Sequence, residues 1–133
     1  MEDSIFTKII KGEVPSVRVY EDAKTYAFMD IQPIQPGQVV VVPKTQVPYV
    51  WDLTDEDYQA LMATVQTIGK KLRAAFRTKE RVGIKIEGLG VQNHAHVKIF
   101  PFTTGAEYHH NPDDDPMQTP EQLEALAAII RAA

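Results

Sequence analysis

One long amphipathic segment, residues 54–76, constrains the fold of this chain more than any other stretch. Thr54 stands three residues before Asp57, the spacing of a helix N-cap, and acidic residues follow it where the helix dipole is positive. Apolar residues then recur at intervals of three and four: Tyr58, Leu61, Met62, Val65, Ile68, Leu72 and Phe76. This periodicity predicts a helix of about six turns with one apolar face, which needs a second layer to cover.

Strand patterns on both sides of this segment supply that layer. Alternating or continuous apolar residues predict strands at 16–21, 25–30, 39–42, 82–87 and 93–101. Shorter helices are predicted at 4–11 and from Thr119 onward, where a capping box precedes further apolar residues. The order α, β, β, β, α, β, β, α predicts an α+β fold. We expect a mostly antiparallel five-stranded sheet with one long covering helix, a short N-terminal helix and a C-terminal helix.

Composition limits the classes of function. With 133 residues we expect a single domain, 1–133, in which 1–102 form the core and 103–133 a loop and the C-terminal helix. A net charge of −4 without a run of Lys or Arg argues against nucleic acid as a partner. The absence of cysteine excludes disulfides and thiolate metal sites. The acidic start and short apolar runs lead us to expect a cytoplasmic protein without a membrane partner.

The candidate chemistry lies in segment 93–101. Its polar and apolar residues alternate, so on a strand His94, His96 and Lys98 share one face and apolar residues share the other. The apolar face can pack on a core while the other presents two imidazoles and an ammonium. Such a row contributes little to stability and is well suited to holding an anion.

Four interpretations of this row are open from the residues alone. A neutral imidazole can attack phosphorus, while the second imidazole and the lysine neutralise phosphate oxygens. His94 and His96 could instead chelate a metal, although the third residue of the row, Lys98, is a poor ligand while protonated. The row could also bind an anion without turnover, or be an exposed basic face with no site.

Four parts of the chain resemble the histidine triad (HIT) family of nucleotide hydrolases and transferases, and they occur in the family's order. Residues 5–15 are similar to its N-terminal helix and turn, and 20–33 to its first hairpin and loop. Residues 37–44 are similar to its next strand. The sequence HAHVKIFP at 94–101 is similar to its signature of alternating histidines ending near a proline.

The resemblance implies a role for each matched residue. His96 corresponds to the middle histidine, the family's nucleophile, which forms a covalent nucleotidyl-histidine at the α-phosphate. His94 corresponds to the first histidine, which supports phosphate binding. The implied substrate is a purine nucleoside phosphoramidate or a dinucleoside polyphosphate, bound as an AMP-like ligand without a cofactor. Asp30 corresponds to the ribose-binding acid. The base pocket and the phosphate contacts are expected from Phe6, Ile9, Phe28, Ile31, Gln92 and Asn93.

The chain also departs from the family's pattern. Lys98 stands in the place of the third histidine, which puts protonation of the leaving group in doubt. Two positions, Ser4 and Thr7, match the place where some members carry a pair of zinc-binding cysteines. Gln46 stands where many members carry a histidine, so no metal is expected. Because of these differences, two alternative functions stay open. The chain could be a nucleotide-binding protein with little or no turnover, or a protein-interaction module that retains only the fold.

The resemblance further implies a homodimer. The family pairs through the long helix and a neighbouring strand. The expected contact residues are Tyr58, Met62, Val65 and Gly69.

Overall fold

The computed structural model describes residues 2–133. Its helices are α1 (Ile5–Ile10), α2 (Asp55–Ala75), α3 (Gly105–Tyr108) and α4 (Pro120–Ala132), with short 3-10 turns at Val50–Asp52 and Pro112–Asp114. Its strands are β1 (Arg18–Glu21), β2 (Thr25–Met29), β3 (Val39–Pro43), β4 (Arg81–Lys85) and β5 (Val97–Phe102). The side chain of Thr54 accepts a hydrogen bond from the backbone of Asp57, so the long helix begins where its capping residue predicts.

The five strands form one antiparallel sheet in the order β1-β2-β3-β5-β4. The predicted α+β class and five-stranded sheet are therefore confirmed. The run of valines in β3 is buried along its whole length because β3 is the central strand and both faces of the sheet are covered.

Each face of the sheet packs against a different set of side chains. Val39 and Val41 lie in the larger cluster together with side chains of α2 and α4, where Leu61, Ile68 and Ile130 are fully buried. On the opposite face, Val40 and Val42 pack with side chains from α1 and β2, which are Phe6, Ile9, Tyr26 and Phe28. This second, smaller cluster is the base on which the candidate site is built.

The strand boundary with the largest error is the start of β5, and the strand predicted at 82–87 also ends earlier, at Lys85. The alternating segment was predicted to be extended from Asn93, but β5 begins only at Val97, so His94 and His96 precede the strand. Gly88 and Gly90, at φ 70° and 83°, turn the connection that arrives from β4. The backbone N–H of Ala95 donates to the carbonyl of Val47 at 2.7 Å, a loop contact in place of a pairing within the sheet.

The region 103–118, predicted as a loop, contains α3 and packs against the sheet. The Tyr108 ring lies 5.4 Å from that of Phe100 and 5.0 Å from that of Phe102. The side-chain amide of Gln35 donates to the carbonyl of Glu107 at 2.9 Å. The segment therefore covers the end of β5 on the face that carries Lys98.

Candidate active site

The register of the sheet determines which side chains share the face of the smaller cluster. Phe28 on β2 is opposite Val40 on β3, Val40 is opposite Lys98 on β5, and Lys98 is opposite Lys85 on β4. Because side chains alternate along a strand, His96 lies on the same face as Lys98. The alternation expected from the sequence therefore holds for these two residues, although His96 is one residue outside the strand.

His94 is enclosed by the protein, with an exposed fraction of 0%. Its Nε2 lies 2.7 Å from the carbonyl oxygen of Pro43, which can only accept a hydrogen bond, so Nε2 carries the proton. Its Nδ1 must then accept, and the hydroxyl of Ser4 donates to it at 2.6 Å. Burial lowers the pKa of His94, which favours this neutral tautomer. Both ring nitrogens are thus bonded within the chain.

A hydrogen-bonded polar network holds the other side of Ser4. The Thr7 backbone donates to the Ser4 hydroxyl at 2.9 Å, and the Thr7 hydroxyl donates to the side-chain oxygen of Gln46 at 2.7 Å. The Ser4 backbone donates to the same Gln46 oxygen at 2.9 Å. A structural zinc does not fit this set, since two hydroxyls, an amide and a bonded imidazole are not the thiolates and imidazoles that zinc takes. Within residues 2–133, no three His, Asp or Glu side chains are grouped closely enough to hold a metal ion.

His96 is the candidate nucleophile in geometry as well as in sequence. Its Nδ1 lies 2.9 Å from the backbone carbonyl of His94 and must donate to it, so the lone pair is on Nε2. No protein partner for Nε2 is found among the residues the structure describes. The His96 ring packs edge-on against Phe6, with the centroids 5.1 Å apart. This arrangement points a basic nitrogen away from the backbone in a fixed orientation.

Lys98 forms an ion pair with Glu87, in which Nζ lies 2.7 Å from the carboxylate. Glu87 stands just after β4, at the start of the connection to β5. Both side chains are partly buried, so the pair is screened less than an exposed one.

Asp30 follows β2 and is held by two hydrogen bonds. The backbone of Gln32 donates to one carboxylate oxygen at 2.9 Å, and the amide of Gln38 donates to the other at 2.8 Å. Burial raises the pKa of Asp30, against these bonds and the nearby positive charge of Lys98, which lower it. A carboxylate so placed has acceptor capacity remaining for hydroxyl groups.

The other predicted ligand contacts divide into two groups. Phe6, Ile9 and Phe28 pack together in the smaller cluster, and the rings of Phe6 and Phe28 are 5.5 Å apart. Ile31, at 52% exposed, lies outside that cluster. Gln92 and Asn93 are exposed in the connection before His94. The structure therefore brings together the apolar residues and the histidines, and leaves these three side chains open to solvent.

Sequence reasoning missed two residues of the site. Glu87 was predicted only as the end of a strand; antiparallel pairing of that strand with 93–101 could have placed its charge near Lys98. Gln38 was not singled out, although it is 1% exposed and bonds both Asp30 and the backbone of Ile34. Nothing in the local sequence marks Gln38, because its role depends on how the loop 30–38 folds.

Two surface cavities lie away from this site. One of about 610 Å³ is bordered by Arg18, Lys44, Arg131 and the β1–β2 turn, and one of about 330 Å³ lies between that turn and α2. Neither is lined by a histidine or by Asp30. The basic groups of the larger one are already paired with Glu21 and Glu124. The hydrogen-bonded histidines are therefore the better candidate for chemistry.

Comparison with known proteins identifies the family of this chain. A family model described as "HIT domain" matches residues 11–105. An adenosine 5'-monophosphoramidase from Candida albicans is 41% identical over 69 residues, 52% of this chain and 45% of that protein. A purine nucleoside phosphoramidase from Escherichia coli strain K12 is 37% identical over 87 residues, 65% of this chain and 67% of that protein. The matched stretch thus spans about half of the first and two thirds of the second.

Solved structures extend the likeness over almost the whole chain. A HIT-like protein from Bartonella henselae, described as involved in cell-cycle regulation, aligns with a TM-score of 0.85 and 34% identity. The alignment covers 98% of this chain and 95% of that one. The antiparallel sheet with its histidines just before β5 therefore defines a protein of the histidine triad class. The chain belongs to the HIT domain family.

No helix among the described residues is long and apolar enough to cross a membrane.

Proposed function

We propose that this protein is a hydrolase or nucleotidyl transferase acting at the α-phosphate of a purine nucleoside phosphoramidate or dinucleoside polyphosphate. The observation that carries the proposal is the hydrogen bond from His96 Nδ1 to the His94 carbonyl, which leaves the Nε2 lone pair for attack. The two relatives named as phosphoramidases support the same class of reaction.

The reaction proceeds in two displacements. In the first, His96 Nε2 forms a bond to the α-phosphorus while the bond from phosphorus to the leaving group breaks, and an amine leaving group takes up a proton. In the second, water attacks the phosphorus, the bond to Nε2 breaks, and the water's proton is released. The product is a nucleoside monophosphate, and the covalent nucleotidyl-histidine divides a difficult step into two easier ones.

The other site residues bind and orient the nucleotide in this scheme. Phe6, Ile9, Phe28 and Ile31 border the base, and Asp30 accepts hydrogen bonds from the ribose hydroxyls. Gln92, Asn93 and Lys98 contact phosphate oxygens. His94 acts by holding the nucleophile, since both its ring nitrogens are bonded inside the protein. Lys98 replaces the third histidine of the family signature, and its ammonium supplies positive charge at the reacting phosphate. We place this activity in the cytoplasm.

A second candidate function is nucleotide binding with little or no turnover. It is favoured by the ion pair between Lys98 and Glu87, which engages the group that replaces the third histidine. The site would then hold an AMP-like ligand through Asp30 and the apolar cluster without expelling a leaving group.

We also propose a homodimer. β4 is an edge strand whose Ile84 is 41% exposed, and Tyr58 on α2 is 40% exposed. An edge strand with exposed apolar side chains is suited to pairing with another chain. Of the other expected contacts, Met62 and Gly69 are partly exposed, whereas Val65 is only 6% exposed and has little surface to offer.

Turnover of adenosine 5'-phosphoramidate and of a diadenosine polyphosphate tests the proposal. We expect the wild-type protein to release AMP, and His96→Ala to lose at least about a thousandfold in kcat/KM because the nucleophile is gone. His109→Ala, which removes an exposed histidine, is the matched control and should keep wild-type activity. Equal activity in wild type and His96→Ala would show that His96 is not the nucleophile. Tight AMP binding without turnover in the wild type would favour the second candidate.

A further inference from the structure

The charges around His96 are close to balanced. Lys98 is paired with Glu87 at 2.7 Å, so an ammonium on the site face is matched by a carboxylate. Asp30 adds a second carboxylate, and its charge is close enough to Lys98 to interact with it. His94 is buried as the neutral tautomer and contributes no charge.

Lys85 does not change this balance toward a strongly cationic site. Lys85 is directly opposite Lys98 in the register of the sheet. Its ammonium, however, lies over the ring of Tyr108 in α3, 4.6 Å from the ring centroid. Two ammonium groups and two carboxylates thus share this face, and one ammonium is held against an aromatic ring. The basic row expected from the sequence is, in the fold, electrically near neutral.

The two substrate classes of the proposed function differ in charge. A nucleoside phosphoramidate brings a singly charged phosphate, and its leaving group is a neutral or cationic amine. A dinucleoside polyphosphate brings several negative charges, and its leaving group is an anionic nucleotide. A carboxylate that is paired with the lysine of the site disfavours the second class more than the first, because Coulomb repulsion grows with the charge of the ligand.

We propose that Glu87 is a specificity-determining residue that selects phosphoramidates with amine leaving groups over polyphosphates. The inference rests on the proposed function and assigns its substrate class. Glu87 balances the charge of Lys98, so that the lysine can bind a single phosphate group without strongly attracting a polyphosphate. The bond broken in the preferred reaction is therefore phosphorus to nitrogen, and the amine takes up a proton from water as it leaves.

The test compares kcat/KM for adenosine 5'-phosphoramidate and for diadenosine tetraphosphate at low ionic strength. We expect wild type to prefer the phosphoramidate, and Glu87→Gln to lower that preference about fivefold, mainly by improving the polyphosphate. Glu80→Gln removes an exposed carboxylate just before β4 and should leave the preference unchanged. Added salt should reduce the difference between wild type and Glu87→Gln. An active Glu87→Gln protein with the wild-type preference overturns the proposal, as does a wild type that prefers the polyphosphate.

A binding measurement separates this inference from the proposed function. If wild type hydrolyses neither substrate, the proposed function fails. Calorimetry with AMP and ATP then still tests whether Glu87 disfavours the binding of polyphosphates. Wild type should bind AMP at least as tightly as ATP, a comparison that does not depend on the variant folding. Glu87→Gln should gain affinity for ATP relative to AMP. Tighter binding of ATP than of AMP by wild type, or an equal change for both nucleotides in the variant, contradicts the role of Glu87.

Discussion

His94 shows how one residue can take on a role that its sequence motif does not reveal. The alternation of polar and apolar residues predicted that His94 and His96 face the same way, and both rings do contact Phe6. The pattern could not show that Pro43 and Ser4 occupy both nitrogens of His94, because these partners come from distant parts of the chain. The sequence therefore indicated the two histidines, and the fold shows that both ring nitrogens of His94 are bonded within the chain, whereas His96 bonds the His94 carbonyl through Nδ1.

The enclosed histidine makes a pH dependence of stability predictable. Burial lowers the pKa of His94 from its usual value of 6.5, despite the hydrogen bond to Pro43 that raises it. The unfolded chain then binds more protons than the native one between the two pKa values, so stability rises with pH in that range. The contribution is present above pH 6.5 and is lost as the pH falls through the native pKa.

We therefore expect the free energy of unfolding in urea to decrease as the pH is lowered below 6.5. His94→Gln should lessen this dependence, while His109→Gln, at an exposed position, should leave it unchanged. A direct readout is the titration of the His94 ring by NMR. A His94 pKa at or above the usual histidine value of 6.5 would contradict the account.

At the scale of elements, the strong periodic segments were predictable and the connections were not. The helix α2 begins at its predicted cap, and β1, β2 and β3 lie within one or two residues of their expected bounds. The predicted strand at 93–101 was too long because its alternation continues into residues held by loop contacts, such as Ala95 with Val47. The packing of α3 on β5 depends on aromatic contacts between segments and has no local signature.

The contact between β4 and α3 can be tested at Gly83. A Cβ added there would lie 2.8 Å from a ring atom of Phe102 and 3.2 Å from one of Tyr108. We expect Gly83→Ala to destabilise the protein by about 1–3 kcal/mol in urea unfolding, through overpacking of these rings. Gly105→Ala, on α3 itself, adds a Cβ with no neighbour within 4 Å and should cost much less. Equal stability of the two variants would show that the rings yield without strain.

At the scale of the whole molecule, the five strands, the long helix and the two terminal helices followed from the sequence, while α3 and the order β1-β2-β3-β5-β4 did not. Apolar patterns identify strands but not their neighbours, and the placement of β5 between β3 and β4 is a long-range result. That placement is what brings Lys98 beside Val40 and in line with Phe28, and so builds the site.

The proposed homodimer belongs to this scale as well. Light scattering should give a mass near twice that of the 14.9 kDa chain. Ile84→Lys on the exposed side of β4 should shift the protein toward the monomer, because a charge on an edge strand opposes pairing. Glu80→Lys adds a charge outside the strand and is the matched control. A mass near one chain for wild type would rule out the dimer.

The central claim is that His96 Nε2 becomes covalently bonded to the α-phosphorus of the nucleotide. Rapid acid quenching during turnover of an adenosine phosphoramidate, followed by intact-mass measurement, tests this claim directly. The account predicts that wild type gains the mass of one adenylyl group, that peptide mapping places it on His96, and that His109→Ala gains it equally. His96→Ala should fold and show no adduct. An adduct of the same size in His96→Ala, or one mapped to another residue in wild type, would contradict the account.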